Sequence, residues 1–325
     1  MLKRWSFSLL LTLLALAGSA AAAERIPDAA SQIVPPTPEW ENAVRAAAPD
    51  KPTVRAEKRQ LLVFSQFTGF DHKVIPHVDR VFEILGAKSG AFDTRVSVDI
   101  ESLMPASLGA FDVLVLNNNC SRGPRRHLFL DVLETEARYQ HLTPAEREAK
   151  ANALEESLLA FVAGGKGLVV MHGAPTLLNN SKRFTEMVGG AFFYHPPNQE
   201  VTIRTVDADH PLVAAFRGRE PFIHRDEPYC FNGPYEQQSF RPLLSMDTEK
   251  LRDPKGEAAK MVRYVAWIKP HGQGRVFYCS PSHFPESYTS PTLLRFLLDS
   301  TQYASGDLQC DDSPRPRDGL SSERR

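Results

Sequence analysis

The chain has 325 residues, with 38 lysines and arginines against 39 aspartates and glutamates and a formal charge of −1. That balance excludes a protein that grips nucleic acid or acidic lipid through its net field, because such partners select strongly basic surfaces. Hydrophobic residues at 42% and charged residues at 24% exclude a wholly disordered chain.

Residues 1–23 read as a secretory signal peptide. Lys3 and Arg4 give the positive start, residues 5–17 the apolar stretch, and Ser19 with the alanines that follow the small-residue cleavage zone. The apolar run is shorter than the about 20 residues of a spanning helix. The mature chain is therefore expected to be exported, periplasmic or secreted, with no membrane span. Residues 24–57, rich in alanine and proline without an apolar period, read as an N-terminal arm. One domain is expected over residues 58–303, and the polar residues 304–325 read as a disordered tail. Cys120, Cys230, Cys279 and Cys310 are too few to define the fold of so long a chain. In an oxidising compartment they leave three complete pairings open, with Cys310 the cysteine for which a staple to the body would do most.

Between arm and tail the pattern alternates. Residues 61–64 form a short buried-strand run, and Val74, Val78, Val81, Phe82 and Leu85 recur at helical spacing. Residues 94–98 and 111–116 read as strands. Thr143, Pro144 and Glu146 make a capping box with proline at the first helical position, so a helix starts there and stops at Gly164 and Gly165. Residues 167–171 give the next strand. Four more strands are expected at 199–206, 241–246, 261–268 and 275–279, and a closing helix at 291–303. The rhythm is that of an α/β fold, a parallel sheet covered on both faces.

Sites in open α/β sheets lie beyond the C-terminal ends of the strands. Three predicted strands are followed there by histidines: His72 in the segment after the first, His172 directly after residue 171, and His283 four residues after Cys279. His172 ends an apolar run, where a buried imidazole needs partners for both nitrogens. Asn117, Asn118 and Asn119 follow another strand and suit sugar hydroxyls. The segment around His224 adds Asp226 and Glu227, capable of acid/base work or of orienting a histidine. His195 and Tyr229 join the candidates. Phe67, Phe70, Tyr229, Trp267 and Tyr288 offer faces for a sugar ring. Fingerprints for dinucleotides, P-loop phosphates, zinc-protease helices and serine-hydrolase elbows are missing from the sequence.

Taken in order, these segments resemble the trehalose-utilisation (ThuA-like) family. The matching residues are Thr68 to Pro76, Phe111 to Asn118, Gly164 to His172, Val188 to Gly190, His195-Pro196, Asp209 to Pro211, Asp226 to Tyr229, and Gly274 to Tyr278 with His283. The sequence departs from the usual pattern at Val170-Met171 before His172 and at Pro281-Ser282 before His283. The resemblance implies a three-layer sandwich of flavodoxin-like, glutamine amidotransferase-like type with a mostly parallel sheet. It also implies a role in bacterial sugar catabolism, on disaccharides or their 3-keto derivatives. Amidotransferases of this fold carry a nucleophilic cysteine at the turn after a central strand. His172 stands at the matching position, so thiolate chemistry is not expected.

Three readings remain open. In the first, a keto-sugar or glycoside is transformed by acid/base chemistry, with His172, Glu227 and Asp226 as the catalytic groups. His72, Asn118, His283, His195 and Tyr229 then bind the small-molecule carbohydrate. In the second, His72, His172 and His283, with Asp226 or Glu227, hold zinc and leave a position open for water or a carbonyl. In the third, the same residues bind sugar without turnover. Nucleic acid is not an expected partner.

Overall fold

The computed structural model describes residues 33–260 and 263–315. The expected signal peptide, the start of the arm and the end of the tail lie outside the described residues. The strands are β1 (Arg59–Phe64), β2 (Phe92–Ser97), β3 (Val113–Asn117), β4 (Gly167–Met171), β5 (Ala191–Tyr194), β6 (Gln199–Thr205), β7 (Phe222–Asp226), β8 (Cys230–Asn232), β9 (Arg241–Met246), β10 (Arg263–His271) and β11 (Gly274–Cys279). The helices are α1 (Pro38–Ala47), α2 (Ile75–Ser89), α3 (Pro105–Leu108), α4 (Leu128–Thr135), α5 (Pro144–Ala163), α6 (Lys182–Val188), α7 (Pro234–Gln237) and α8 (Pro291–Ala304).

Nine strands form one sheet in the order β2-β1-β3-β4-β11-β10-β9-β6-β7, and β5 pairs with β8 in a separate ribbon. The first five are parallel to one another. From β11 onward the pairings are antiparallel. The central strands read as continuous apolar runs because both sheet faces are covered. Successive side chains alternate between two cores. Leu61, Val63, Val113, Val115, Val169 and Met171 face one core with α1, α2 and α8. Leu62, Phe64, Leu114, Leu116, Leu168 and Val170 face the other with α4, α5 and α6. Each such fully buried side chain contributes about 1.5–3 kcal/mol, so the sheet centre carries the stability and its strand-end loops are free to carry chemistry. The fold is the expected three-layer α/β sandwich.

The capping box at α5 is present: the Glu146 amide donates to Thr143 Oγ1 at 3.3 Å and the Thr143 amide to Glu146 Oε2 at 2.7 Å. α4 was not anticipated from the sequence; its N-terminus is capped by the His127 imidazole, which accepts from the Leu130 amide at 3.4 Å. The arm contributes α1, where Val44 is fully buried and Trp40 Nε1 donates to the Pro285 carbonyl at 2.9 Å. The start of the expected tail lies against the body. Leu308 is buried, Tyr303 donates to Asp312 at 2.8 Å, and Arg241 pairs with Asp311 at 2.6 Å. Polar hydrogen bonds hold these residues, and all four cysteines are free thiols. Among the described residues, no helix is long and apolar enough to cross a membrane.

Candidate metal centre

The loops that leave β1 and β3 are stitched together. The Thr68 and Gly69 amides both donate to the Cys120 carbonyl, at 2.9 and 2.8 Å. A Cβ at Gly69 would stand 2.5 Å from the Ser121 carbonyl oxygen, so only glycine allows this approach. The β1 loop delivers His72. β4 delivers His172, whose backbone turns sharply at φ +44°, a left-handed conformation that costs a non-glycine residue roughly 1–2 kcal/mol. The His172 amide donates to the Cys279 carbonyl at 2.8 Å, which ties this turn to the end of β11. The segment after β11 delivers His283. Glu227 arrives from the end of β7.

These four buried side chains converge, and one ligand atom from each of His72, His172, Glu227 and His283 lies within 4.8 Å of every other. His283 Nδ1 is 3.1 Å from Glu227 Oε2 and 3.2 Å from His172 Nε2. His172 Nε2 is 3.3 Å from Glu227 Oε2, and His72 Nε2 is 3.8 Å from the same oxygen. Four donors about 2.0–2.1 Å from a tetrahedral zinc stand roughly 3.3–3.4 Å apart; the three separations among His172, Glu227 and His283 are close to that value, and His72 lies further out. His72 Nε2 is buried and has no hydrogen-bond partner among the described residues, a costly state for a buried ring nitrogen that a bound cation would relieve.

Surrounding groups fix which nitrogen faces inward. His172 Nδ1 lies 2.8 Å from the Ser280 carbonyl, an acceptor only, so Nδ1 carries the proton and Nε2 points its lone pair at the cluster. His72 Nδ1 lies 3.7 Å from Cys120 Sγ. Asp226 is 3% exposed but supplies no ligand atom. Its Oδ1 accepts the Glu227 and His283 amides, both at 2.9 Å, and its Oδ2 accepts His224 Nε2 at 2.9 Å. It is a clamp on the backbone of two converging residues.

The electrostatics follow from burial and contact. Desolvation pushes the His72 pKa down to about 3, outweighing the pull of Glu227, so this imidazole is neutral. For His172, desolvation also acts downward, but the Glu227 hydrogen bond and the Asp226 and Glu227 charges outweigh it and raise the pKa. Burial would raise the Glu227 carboxyl, yet contacts with His172, His283 and His72 hold it well below the usual range. Burial pushes the Cys120 thiol up to about 12, so it supplies no thiolate nucleophile at neutral pH.

A cavity of about 180 Å³ opens beside the cluster, with His72 and Glu227 in its lining and Phe70, Phe192, His195 and Tyr229 as aromatic walls; Cys120, Arg126 and Thr176 complete it. Tyr229 stacks on His195, ring centres 5.5 Å apart, and lies 4.5 Å from the His172 ring. Phe70 is 54% exposed at the cavity mouth. A larger hollow of about 420 Å³ between β7 and residues 284–290 contains none of the four converging side chains.

Of the candidate site residues, His72, His172, Glu227 and His283 meet at one point, and His195 and Tyr229 line the cavity beside it. Asn118 is not in the cavity lining; it braces the loop that carries His172, its Nδ2 donating to Asn117 Oδ1 at 3.0 Å and its Oδ1 accepting the Gly173 amide at 3.3 Å. Asn117 and Asn119 similarly tie loop backbones together. Phe67, Trp267 and Tyr288 are wholly inside the core. Sequence reasoning missed Arg126, Cys120, Thr176 and Phe192, none of which carries a local motif.

No curated protein matches the sequence. Two solved structures share the fold. A putative ThuA-like protein from Bacteroides uniformis is 17% identical, with a TM-score of 0.53 over 78% of this chain and 94% of that one. Another from Parabacteroides merdae is 15% identical, with a TM-score of 0.53 over 80% of this chain and 98% of that one. The family described as ThuA, trehalose utilisation, matches residues 60–304, in agreement with the convergence of strand-end segments described above, and the chain belongs to that family.

Proposed function

We propose that this protein is an exported, metal-dependent enzyme of carbohydrate breakdown, acting on a sugar, keto-sugar or glycoside bound in the aromatic-walled cavity. The observation that carries this reading is the meeting of three imidazoles and one carboxylate with one ligand atom of each within 4.8 Å of every other, and with His72 Nε2 lacking a hydrogen-bond partner among the described residues. A nitrogen-rich set with one carboxylate suits zinc or a neighbouring first-row divalent ion. When bound, such an ion supplies Lewis-acid polarisation of a carbonyl or an acidified water. Family membership supports a carbohydrate role, and the aromatic walls supply faces for a pyranose. The apolar start of the sequence supports export.

His72, His172, Glu227 and His283 hold the ion in this reading. The Ser280 carbonyl keeps the His172 tautomer, and Asp226 fixes the backbone of Glu227 and His283. A second reading, metal-free acid/base chemistry, has its own support: His172 and Glu227 form a buried pair at 3.3 Å, and the carboxylates beside His172 raise its pKa, which suits an imidazole that takes up and returns a proton.

Elemental mass spectrometry of the mature, untagged protein, with His172→Ala beside it, separates the two. Near-stoichiometric metal in the wild type that is lost in the variant is expected. Metal-free protein from metal-replete cells, with turnover of 3-keto-glycosides still abolished by His172→Ala, would overturn the metal reading in favour of acid/base chemistry.

A further inference from the structure

The loop after β3 carries three arginines within five residues, and their surroundings differ. Arg122 Nε donates to the Thr68 carbonyl at 2.9 Å. Arg125 is neutralised by Asp131 and Glu134, both at 2.7 Å. Arg126 has no ion pair among the described residues; its Nη1 donates to the Ser121 carbonyl at 2.8 Å, and its side chain lines the cavity beside His72 and Glu227. A guanidinium presents five N–H donors in a planar fork, so most of this fork is left free. The backbone of Arg126 also stands at φ +52°, a left-handed conformation that is unfavourable for an arginine. Neutralised Arg125 next to uncompensated, strained Arg126 indicates that the loop directs one particular cation into the cavity.

We infer that Arg126 is a specificity residue and that the substrate is an acidic sugar, one whose ring carries a carboxylate or phosphate oxyanion seated on the Arg126 guanidinium. The inference rests on the carbohydrate and metal reading proposed above. The charge balance is consistent with it. Among the described residues, Glu227 is the only carboxylate in the lining, and it is enclosed by three imidazoles. A divalent ion held by three neutral histidines and one carboxylate leaves the cluster at net +1, and Arg126 adds a second positive charge. The cavity size limits the ligand further. At about 180 Å³ it falls below the about 300–1,000 Å³ of a drug-sized site, so it takes one ring, the charged one, of a larger glycoside. Bidentate recognition by arginine favours planar carboxylate or phosphate oxygens over hydroxyls.

The test is calorimetric binding of glucuronate, glucose 6-phosphate and glucose to the protein as purified, with its metal content measured on the same samples. At least one of the two anionic sugars is expected to bind about tenfold to a hundredfold more tightly than glucose, the worth of one charge-assisted contact. The stronger of the two identifies carboxylate or phosphate as the source. Arg126→Gln should bring the ratio of anionic to neutral affinity close to one, with metal content unchanged, and Arg126→Lys should restore part of it. Equal binding of glucose, a preference that survives in Arg126→Gln, or no anionic-sugar binding at millimolar concentration would overturn the inference. Stoichiometric metal without an anion preference refutes the inference alone. An Arg126-dependent preference in metal-free protein refutes the metal reading alone.

Discussion

Asp226 supports the candidate metal centre from behind, its Oδ1 lying 3.9 Å from His172 Nδ1, and Asp226→Asn probes that support. The side chain is 3% exposed and makes three hydrogen bonds of 2.9 Å, to the amides of Glu227 and His283 and to His224 Nε2. Asparagine keeps the shape, and its carbonyl oxygen can still accept both amides. Those two bonds fall from the charge-assisted range of about 1.5–3 kcal/mol to the neutral range of about 0.5–1.5 kcal/mol, a loss of about 2 kcal/mol together. The His224 bond survives if the imidazole changes tautomer. Removing an outer support of this kind typically costs 10–100-fold in metal affinity, about 1.4–2.7 kcal/mol. Competition with a chromophoric chelator should therefore show metal binding weakened by about 10–100-fold. Denaturant unfolding in chelator should show the metal-free variant destabilised by no more than about 2 kcal/mol. Unchanged metal affinity, with the whole loss appearing as stability, would refute the view that Asp226 pre-positions ligands.

Two further perturbations probe the site's packing and the wider fold. A Cβ at Gly173 would stand 2.8 Å from both Cys120 Sγ and His72 Cε1, so Gly173→Ala should displace His72 and weaken metal binding about 5- to 150-fold, the equivalent of an overpacking cost of about 1–3 kcal/mol, without altering any charge; a chelator titration matching wild type would show that His72 is not a ligand. Desolvation lowers the pKa of Lys269, buried with Nζ on the Glu186 carbonyl at 2.6 Å, from 10.5 to about 8. Between those values the unfolded chain binds more protons than the folded one, so this group's contribution to stability rises with pH from about 8 to 10.5 and is at its most unfavourable below 8. The difference of 2.5 units corresponds to about 3 kcal/mol. Denaturant unfolding of wild type and Lys269→Met should show the wild type gaining on the variant across that window; parallel pH profiles would refute the assignment.

The distribution of what was legible follows from the physics of each signal. The strands preceding His72, His172 and His283 are visible in the sequence because a sheet covered on both faces demands unbroken apolar runs, and such runs end abruptly where polar chemistry begins. That β1, β4 and β11 lie close enough for the three imidazoles to meet is a matter of strand order, which no local pattern encodes. The asparagines after β3 leave their role undecided in the sequence for a related reason. A short amide suits a sugar hydroxyl and a neighbouring carbonyl equally well, and in a tightly stitched loop the carbonyls are nearer. Arg126 was invisible because a run of arginines in a loop reads as solvated surface, and only the carboxylates around Arg125 distinguish the two.

Asp226 and Glu227 show most clearly how local geometry limits a sequence reading. Adjacent carboxylates invite assignment as partners in one acid/base step. At the end of an extended strand, however, successive side chains project to opposite sides, so two neighbours in sequence do not naturally face one ligand. Glu227 points its Oε2 into three histidines, while Asp226 binds the amide of Glu227 and the amide of His283, 57 residues further along the chain. The same constraint gives the pair its use. One carboxylate brings negative charge to the cluster, and the other pins the backbone that carries it to the backbone of His283. The centre therefore depends on both residues, but through different atoms, and substitutions at the two positions should separate accordingly. Loss of Glu227 removes a donor from the cluster; loss of Asp226 leaves every donor present but less firmly placed.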